Sequence, residues 1–170
     1  MITRPDKSEY DPYYDVYVSK VGQEDVLERL ECQIQETVQL VQNVGGDQAG
    51  YRYAPDKWSI KQVIGHMADT ERIFAYRALC FARRDETPLP GFEQDEYVER
   101  ANFDDRPLED IVEEFRCVRA ATIALFAGVD DEILMRKGTA SGCPFTVRTI
   151  PYILAGHELH HLGVLKERYL

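Results

Sequence analysis

No stretch of the 170-residue chain approaches the roughly 20 consecutive apolar residues that a bilayer span requires. The opening residues, MITRPDKSEYDPYY, lack the apolar centre of a secretory signal, so the expected location is the cytoplasm, with no membrane partner. Basic residues are scarce: 20 Lys and Arg against 30 Asp and Glu leave a formal net charge of −10. Such a surface repels phosphate backbones, which argues against nucleic acid as a partner. Cysteine is sparse too. Cys32, Cys80, Cys117 and Cys143 lie far apart with no CxxC pair, so neither a disulfide framework nor a thiolate metal site is indicated, and they read as small buried hydrophobes. Internal repeats, low-complexity tracts and segments of strand-like alternation are absent.

What remains is an ordinary globular composition, 44% hydrophobic and 29% charged. At this length residues 1–170 read as one domain with a real core. The first twenty residues, with Tyr10, Tyr13, Tyr14 and Tyr17 among Asp and Pro, read as an extended arm anchored by aromatics, with a turn of helix as the alternative within it. From Asp25 to Val44, apolar residues recur at threes and fours, the period of one helical face, and Gly45-Gly46 ends the run.

A second helix is announced by Ser59 as cap, Gln62 closing a capping box, and Trp58 and Val63 at the two positions of a hydrophobic staple. It should run to about Ala82, where Pro88, Pro90 and Gly91 force a long loop carrying Phe92 and Tyr97. Pro107, with Glu109 and Asp110 behind it, opens a third helix that ends at Phe126 before Gly128. A turn-rich stretch then leads to a last helix capped by Thr146 or by Thr149, the latter placing Pro151 inside the first turn. Four amphipathic helices predict an all-α four-helix bundle, and the second and third links are long enough for crossover connections.

Histidine is rare as well, yet three of the four, His157, His160 and His161, crowd little more than one turn of the last helix. His157 and His161, four apart, share a face and can grip one ion. His66 sits among apolar neighbours in the second helix. A lone histidine there would most often be a hydrogen-bonded core residue, but three imidazoles converging in a bundle core leave nitrogens unsatisfied unless a divalent cation joins them. His160 competes with His161; His161 is preferred because it shares the stripe of His157, Leu154 and Leu165. The string from His157 to His161 also has the HExxH form of zinc peptidases, in which Glu158 would be the general base. No downstream histidine or aspartate supplies a third ligand, so a solvated, structural Glu158 is the competing reading. Asp69 can hold a ligand imidazole or can pair with Arg72 one turn on.

The segments KWSIKQVIGHMADTERIFAYRAL (57–79) and AGHELHHLGVLKERYL (155–170), together with LPGFEQDEY (89–97), resemble the DinB-like superfamily of metal-binding four-helix bundles. The resemblance implies that His66, His157 and His161 hold one divalent ion, zinc or nickel, or else iron or manganese, and that the protein is a homodimer. It further implies either a thiol S-transferase using a low-molecular-weight thiol or a metal-dependent hydrolase, each acting on a small-molecule substrate. Arg77, Phe92 and Tyr97 are the candidate pocket residues. The competing class is a non-catalytic metal or small-ligand binding bundle of the stress response. With no evident fourth protein ligand, an open coordination position favours the enzyme.

Overall fold

The computed structural model describes all residues, 1–170. A short helix α1 (Asp15–Val18) precedes α2 (Val26–Val41), a single turn α3 (Gly46–Ala49) and α4 (Ile60–Ala82). Next come α5 (Gln94–Arg100), α6 (Leu108–Ala127) and the turn α7 (Asp131–Leu134). A hairpin of β1 (Lys137–Ala140) and β2 (Cys143–Thr146) leads into α8 (Thr149–Arg168). The long helices α2, α4, α6 and α8 form a four-helix bundle. No helix is long and apolar enough to cross a membrane.

The helix starts follow the local chemistry. Asp25 caps α2 by accepting from the Leu27 and Glu28 amides, and Ser59 and Gln62 form the reciprocal capping box of α4. Around the bundle α2 packs on α6, α6 on α4, α4 on α8, and α8 back on α2. The connections from α2 to α4 and from α6 to α8 therefore cross diagonally. The link from α4 to α6, long enough for a crossover, instead joins neighbours. Neither expected cap of α8 holds that place: Arg148 precedes the helix without a side-chain cap bond, Thr149 is its first residue with Pro151 in the first turn, and Thr146 ends β2, its hydroxyl bonded to that of Thr149.

Two stretches read as turn or loop hold regular structure. Residues 94–100 form α5, and the segment before α8 forms the hairpin, whose two-residue Ser141-Gly142 turn has positive φ at both positions (54° and 76°). Four-residue strands are too short to display an alternating pattern. The arm is likewise short helical turns rather than extended chain, ending in α1, which packs on α8. It is pinned by buried Glu9, whose carboxylate accepts from Arg148 and from the Thr146 hydroxyl. Only Cys80 is a buried cysteine; Cys32 and Cys117 are exposed on α2 and α6 and Cys143 is half-buried.

The apolar core is divided. One cluster takes Val26 and Leu30 of α2, Phe74 to Ala82 of α4, Phe126 of α6 and Ile150 to Ala155 of α8. The other takes Ile34 and Val41, Ile60 to Ala68, Leu108 to Phe115 and Leu165. At the junction each helix contributes buried polar side chains: Gln33 and Thr37, His66, Thr70 and Glu71, Arg119 and Thr122, and His157, Glu158 and His161. A polar belt thus runs across the middle of the bundle. Burying such groups without partners would cost several kcal/mol, about 1–3 for each unsatisfied atom.

Candidate metal centre

Adjacent packing of α4 and α8 turns His66 toward His157 and His161. The three rings are 3%, 7% and 9% exposed. Nε2 of His157 lies 3.1 Å from Nε2 of His66 and 3.1 Å from Nε2 of His161. All three ligand nitrogens fall within 4.8 Å of one another. Trp58 walls the cluster, its ring centroid 4.6 Å from that of His66 and 6.4 Å from that of His161.

Burial makes these imidazoles neutral. It drives the His66 pKa down to about 4, with the His160 charge adding to the effect, and it carries His157 and His161 well below the usual histidine range. A neutral nitrogen either donates one proton or accepts one at its single lone pair. Nε2 of His157 therefore cannot make a well-aligned hydrogen bond to both neighbours, and one of the two close contacts is left without one. A divalent cation resolves that conflict: bonds of about 2.0–2.1 Å at tetrahedral angles place ligand nitrogens about 3.3 Å apart. The donor set fits a metal ion, and His66, His157 and His161 are the residues that would hold it.

The cluster sits between two cavities. One, of about 520 Å³, is lined by His66, His157, Thr70, Phe74, Arg77 and Phe92 and walled by the arm residues Tyr13, Tyr14 and Tyr17. The other, of about 380 Å³, reaches His161 past His160, Trp58 and Tyr169. The arm walls one side of the first cavity because α1 lies directly on α8. A Cβ on Gly156 would stand 2.0 Å from the Tyr17 carbonyl oxygen, so only glycine permits the approach. Tyr17 then meets the His157 ring edge-on at 5.4 Å.

Of the pocket candidates, Arg77 and Phe92 line the larger cavity. Tyr97 does not; it is exposed and packs edge-on against Phe92 at 5.3 Å, on the outer side. His160 is half-buried, outside the three-nitrogen group. Glu158 is neither solvated nor turned toward the cavities. It is 1% exposed, accepts from the Thr37 hydroxyl at 2.5 Å and pairs with Arg119 at 2.8 Å. Directly following His157 on the helix, it faces α2 and α6 while the histidines face α4, which leaves it a structural partner set rather than the position of a general base. Asp69 bonds Arg72 at 3.3 Å and lines neither cavity. The polar atom nearest Nδ1 of His66 belongs instead to Thr70, at 3.5 Å. Thr70 was readable as one turn beyond His66; the tyrosine wall and Ser141 were not, since they depend on tertiary docking.

Fold and site together define a class: four-helix bundles with a three-histidine cluster of metal-ligand geometry in the core. Within it, the chain belongs to the DinB superfamily, whose family model matches residues 29–165. It is 24% identical over 152 residues to a protein of Oceanobacillus iheyensis named "Putative metal-dependent hydrolase OB0413", covering 86% of this chain and 87% of that one. The fold matches YfiT of Bacillus subtilis, described as "a probable metal-dependent hydrolase with an unusual four-helix bundle topology". That match has a TM-score of 0.74 at 18% identity, over 97% of this chain and 90% of the other.

Proposed function

We propose that the protein is a metal-dependent enzyme whose His66, His157 and His161 hold one divalent ion, zinc or nickel, and whose nucleophile is a low-molecular-weight thiol. The observation that carries the metal is the convergence of three buried imidazole nitrogens, two pairs of them 3.1 Å apart and all within 4.8 Å, between the two cavities. An ion held by His66, His157 and His161 would supply Lewis acidity that lowers the pKa of a thiol or water. The chain supplies the rest: Tyr14, Tyr17, Phe74 and Phe92 give the larger cavity apolar walls beside His66 and His157 and so limit water there.

The choice of thiol over water rests on the carboxylates. Hydrolysis of a poor electrophile calls for a general base near the attacking water. The larger cavity, taken as the reacting one, has Glu93 on its exposed rim as its only carboxylate; Asp69 and Glu158 line neither cavity, and the exposed Asp56 and Asp95 line the smaller one on the His161 side. A thiol, with an ordinary pKa of about 8.5, reaches its nucleophilic form without such a base. The named relatives favour the coarser reading of a metal-dependent hydrolase, which the same experiment weighs.

Metal content of untagged protein by plasma mass spectrometry is expected near one ion per chain, and lost in His66→Ala and His161→Ala. The metal-loaded protein is then screened with low-molecular-weight thiols and an electrophilic reporter, beside a panel of esters and amides. Turnover above the His66→Ala control with thiols supports transfer; turnover confined to esters or amides moves the assignment to hydrolysis. Absence of metal after reloading would remove both.

A further inference from the structure

Two arginines are fully buried, and they are treated oppositely. Arg119, 1% exposed, lies between Glu71 and Glu158, bonding Glu71 through Nε and Nη2 and the Leu30 carbonyl through Nη1. Arg77, 2% exposed, has no carboxylate. Its Nη2 donates to the Pro90 carbonyl and the Ser141 hydroxyl, both at 2.9 Å, and its plane lies over Phe74, 4.8 Å from the ring centroid. The groups that act on its charge are the Tyr14 phenol and the Cys143 thiol, both neutral at physiological pH. In a chain with ten more acidic than basic residues, a buried guanidinium without a counter-ion is conspicuous. Buried charges are ordinarily paired.

This side chain lines the same cavity as His66 and His157. His66, Thr70, Phe74 and Arg77 follow one another at helical spacing along the inner face of α4, eleven residues or about 16 Å of helix rise from first to last. The guanidinium is held in place by the 89–91 segment and the hairpin turn, which are themselves joined by the Leu89 and Ala140 bridge. Two bonds occupy Nη2, the nitrogen common to both bidentate forks of the guanidinium, and leave Nε–H and the two Nη1 hydrogens, beside the Tyr14 phenol, as single donors for an oxyanion.

We infer that Arg77 is the anion subsite of this cavity, taking a carboxylate or comparable oxyanion of the substrate while the reacting end of that molecule lies at the histidine cluster. The inference deepens the proposed function and shares its reading of the cavity. It specifies the substrate class: an elongated small molecule, apolar enough along its middle to lie on Phe74, Phe92, Tyr14 and Tyr17, with an anion at the end remote from the reacting group.

The test is calorimetric binding of mercaptohexanoic acid and of mercaptohexanol to metal-free and to zinc-loaded protein. The two probes differ only at the end meant for Arg77. The acid is expected to bind at least about tenfold more tightly than the alcohol in both forms, the scale of a charge-assisted pair out of bulk water. That ratio should fall toward one in Arg77→Gln and be partly kept in Arg77→Lys. Since the ratio compares probes on one protein, a general loosening of the 89–91 segment in a variant cancels. Equal binding of acid and alcohol by the wild-type protein, no binding of the acid to either form, or an unchanged ratio in Arg77→Gln overturns the subsite. The metal reading is read separately, from the gain both probes show on zinc loading and its loss in His66→Ala.

Discussion

Neighbouring residues of one helix turn can serve opposite ends, and His157 and Glu158 do so here. His157 faces α4 and the cavity, while Glu158 faces Arg119 and Thr37 in the buried polar belt. Burial raises the Glu158 pKa, with the Arg119 charge opposing the shift, so its carboxyl is held toward the protonated form. Glu71 carries the heavier bonding, reaching Nε and Nη2 of Arg119 together. The two glutamates should therefore respond unequally to amide replacement. Glu71→Gln leaves Arg119 without its bidentate partner and is expected to cost about 3–5 kcal/mol, the usual loss on breaking a buried pair. Glu158→Gln keeps an oxygen for the Thr37 hydroxyl and disturbs a single contact to Arg119, so it should cost less, about 1 kcal/mol, while keeping full metal occupancy. Urea unfolding of the two variants decides it, and equal losses would show that Glu158 carries as much of the Arg119 pairing as Glu71. The HExxH string thus records helix spacing without the chemistry of the zinc peptidases.

Among the elements, α2, α4 and α6 were legible because each carries a period and a start signal of its own: Asp25 before α2, Ser59 with Gln62 at α4, Pro107 at α6; α8, buried on nearly all sides of its first half and without a side-chain cap, was marked by Pro151 and by the spacing of its histidines. The histidines of the centre were legible for the same reason, since spacing within α8 fixes their common face. The hairpin and the order of helices around the bundle were not, because four-residue strands show no period and no local signal tells α4 that its neighbours are α6 and α8. The role of the arm was hidden in Gly156, which reads as an ordinary helix weakness until Tyr17 is seen against it. Gly156→Ala forces the backbone of α1 away from α8 and is expected to destabilise by about 1–3 kcal/mol, as overpacking does. With Tyr13, Tyr14 and Tyr17 displaced, the linker at 19–25 should be cut faster by protease while His66, His157 and His161 still take up metal. Unchanged stability and cleavage would mean that α1 is not held on α8 in solution.

Across the whole molecule, the divided core ties stability to the state of the belt. Each of the three imidazoles is neutral in the folded protein and free to protonate near its ordinary pKa of about 6.5 once unfolded. Below that pH the unfolded chain binds protons the folded one refuses, so folding weakens as pH falls. For His66 the loss begins near 6.5 and is complete near its folded value of about 4, on the order of 3 kcal/mol. Glu9, held down to about 2 chiefly by its bond from Arg148, contributes stability that is lost only as pH falls from its ordinary 4.5 toward that value, so the two windows largely separate. Metal-free protein followed by thermal unfolding should therefore lose stability between about pH 6.5 and 4, with a shallower slope in His66→Gln. Metal adds to the folded state by mass action, about 4 kcal/mol at a thousandfold excess over Kd, or roughly 8–16 °C in Tm for a chain of this size. Protons compete for the same three nitrogens, so that gain should shrink from pH 7.5 to pH 5. A metal-free melting curve that ignores this pH window would show that the imidazoles find water or other partners in solution. In that case the belt would not need an ion to complete it.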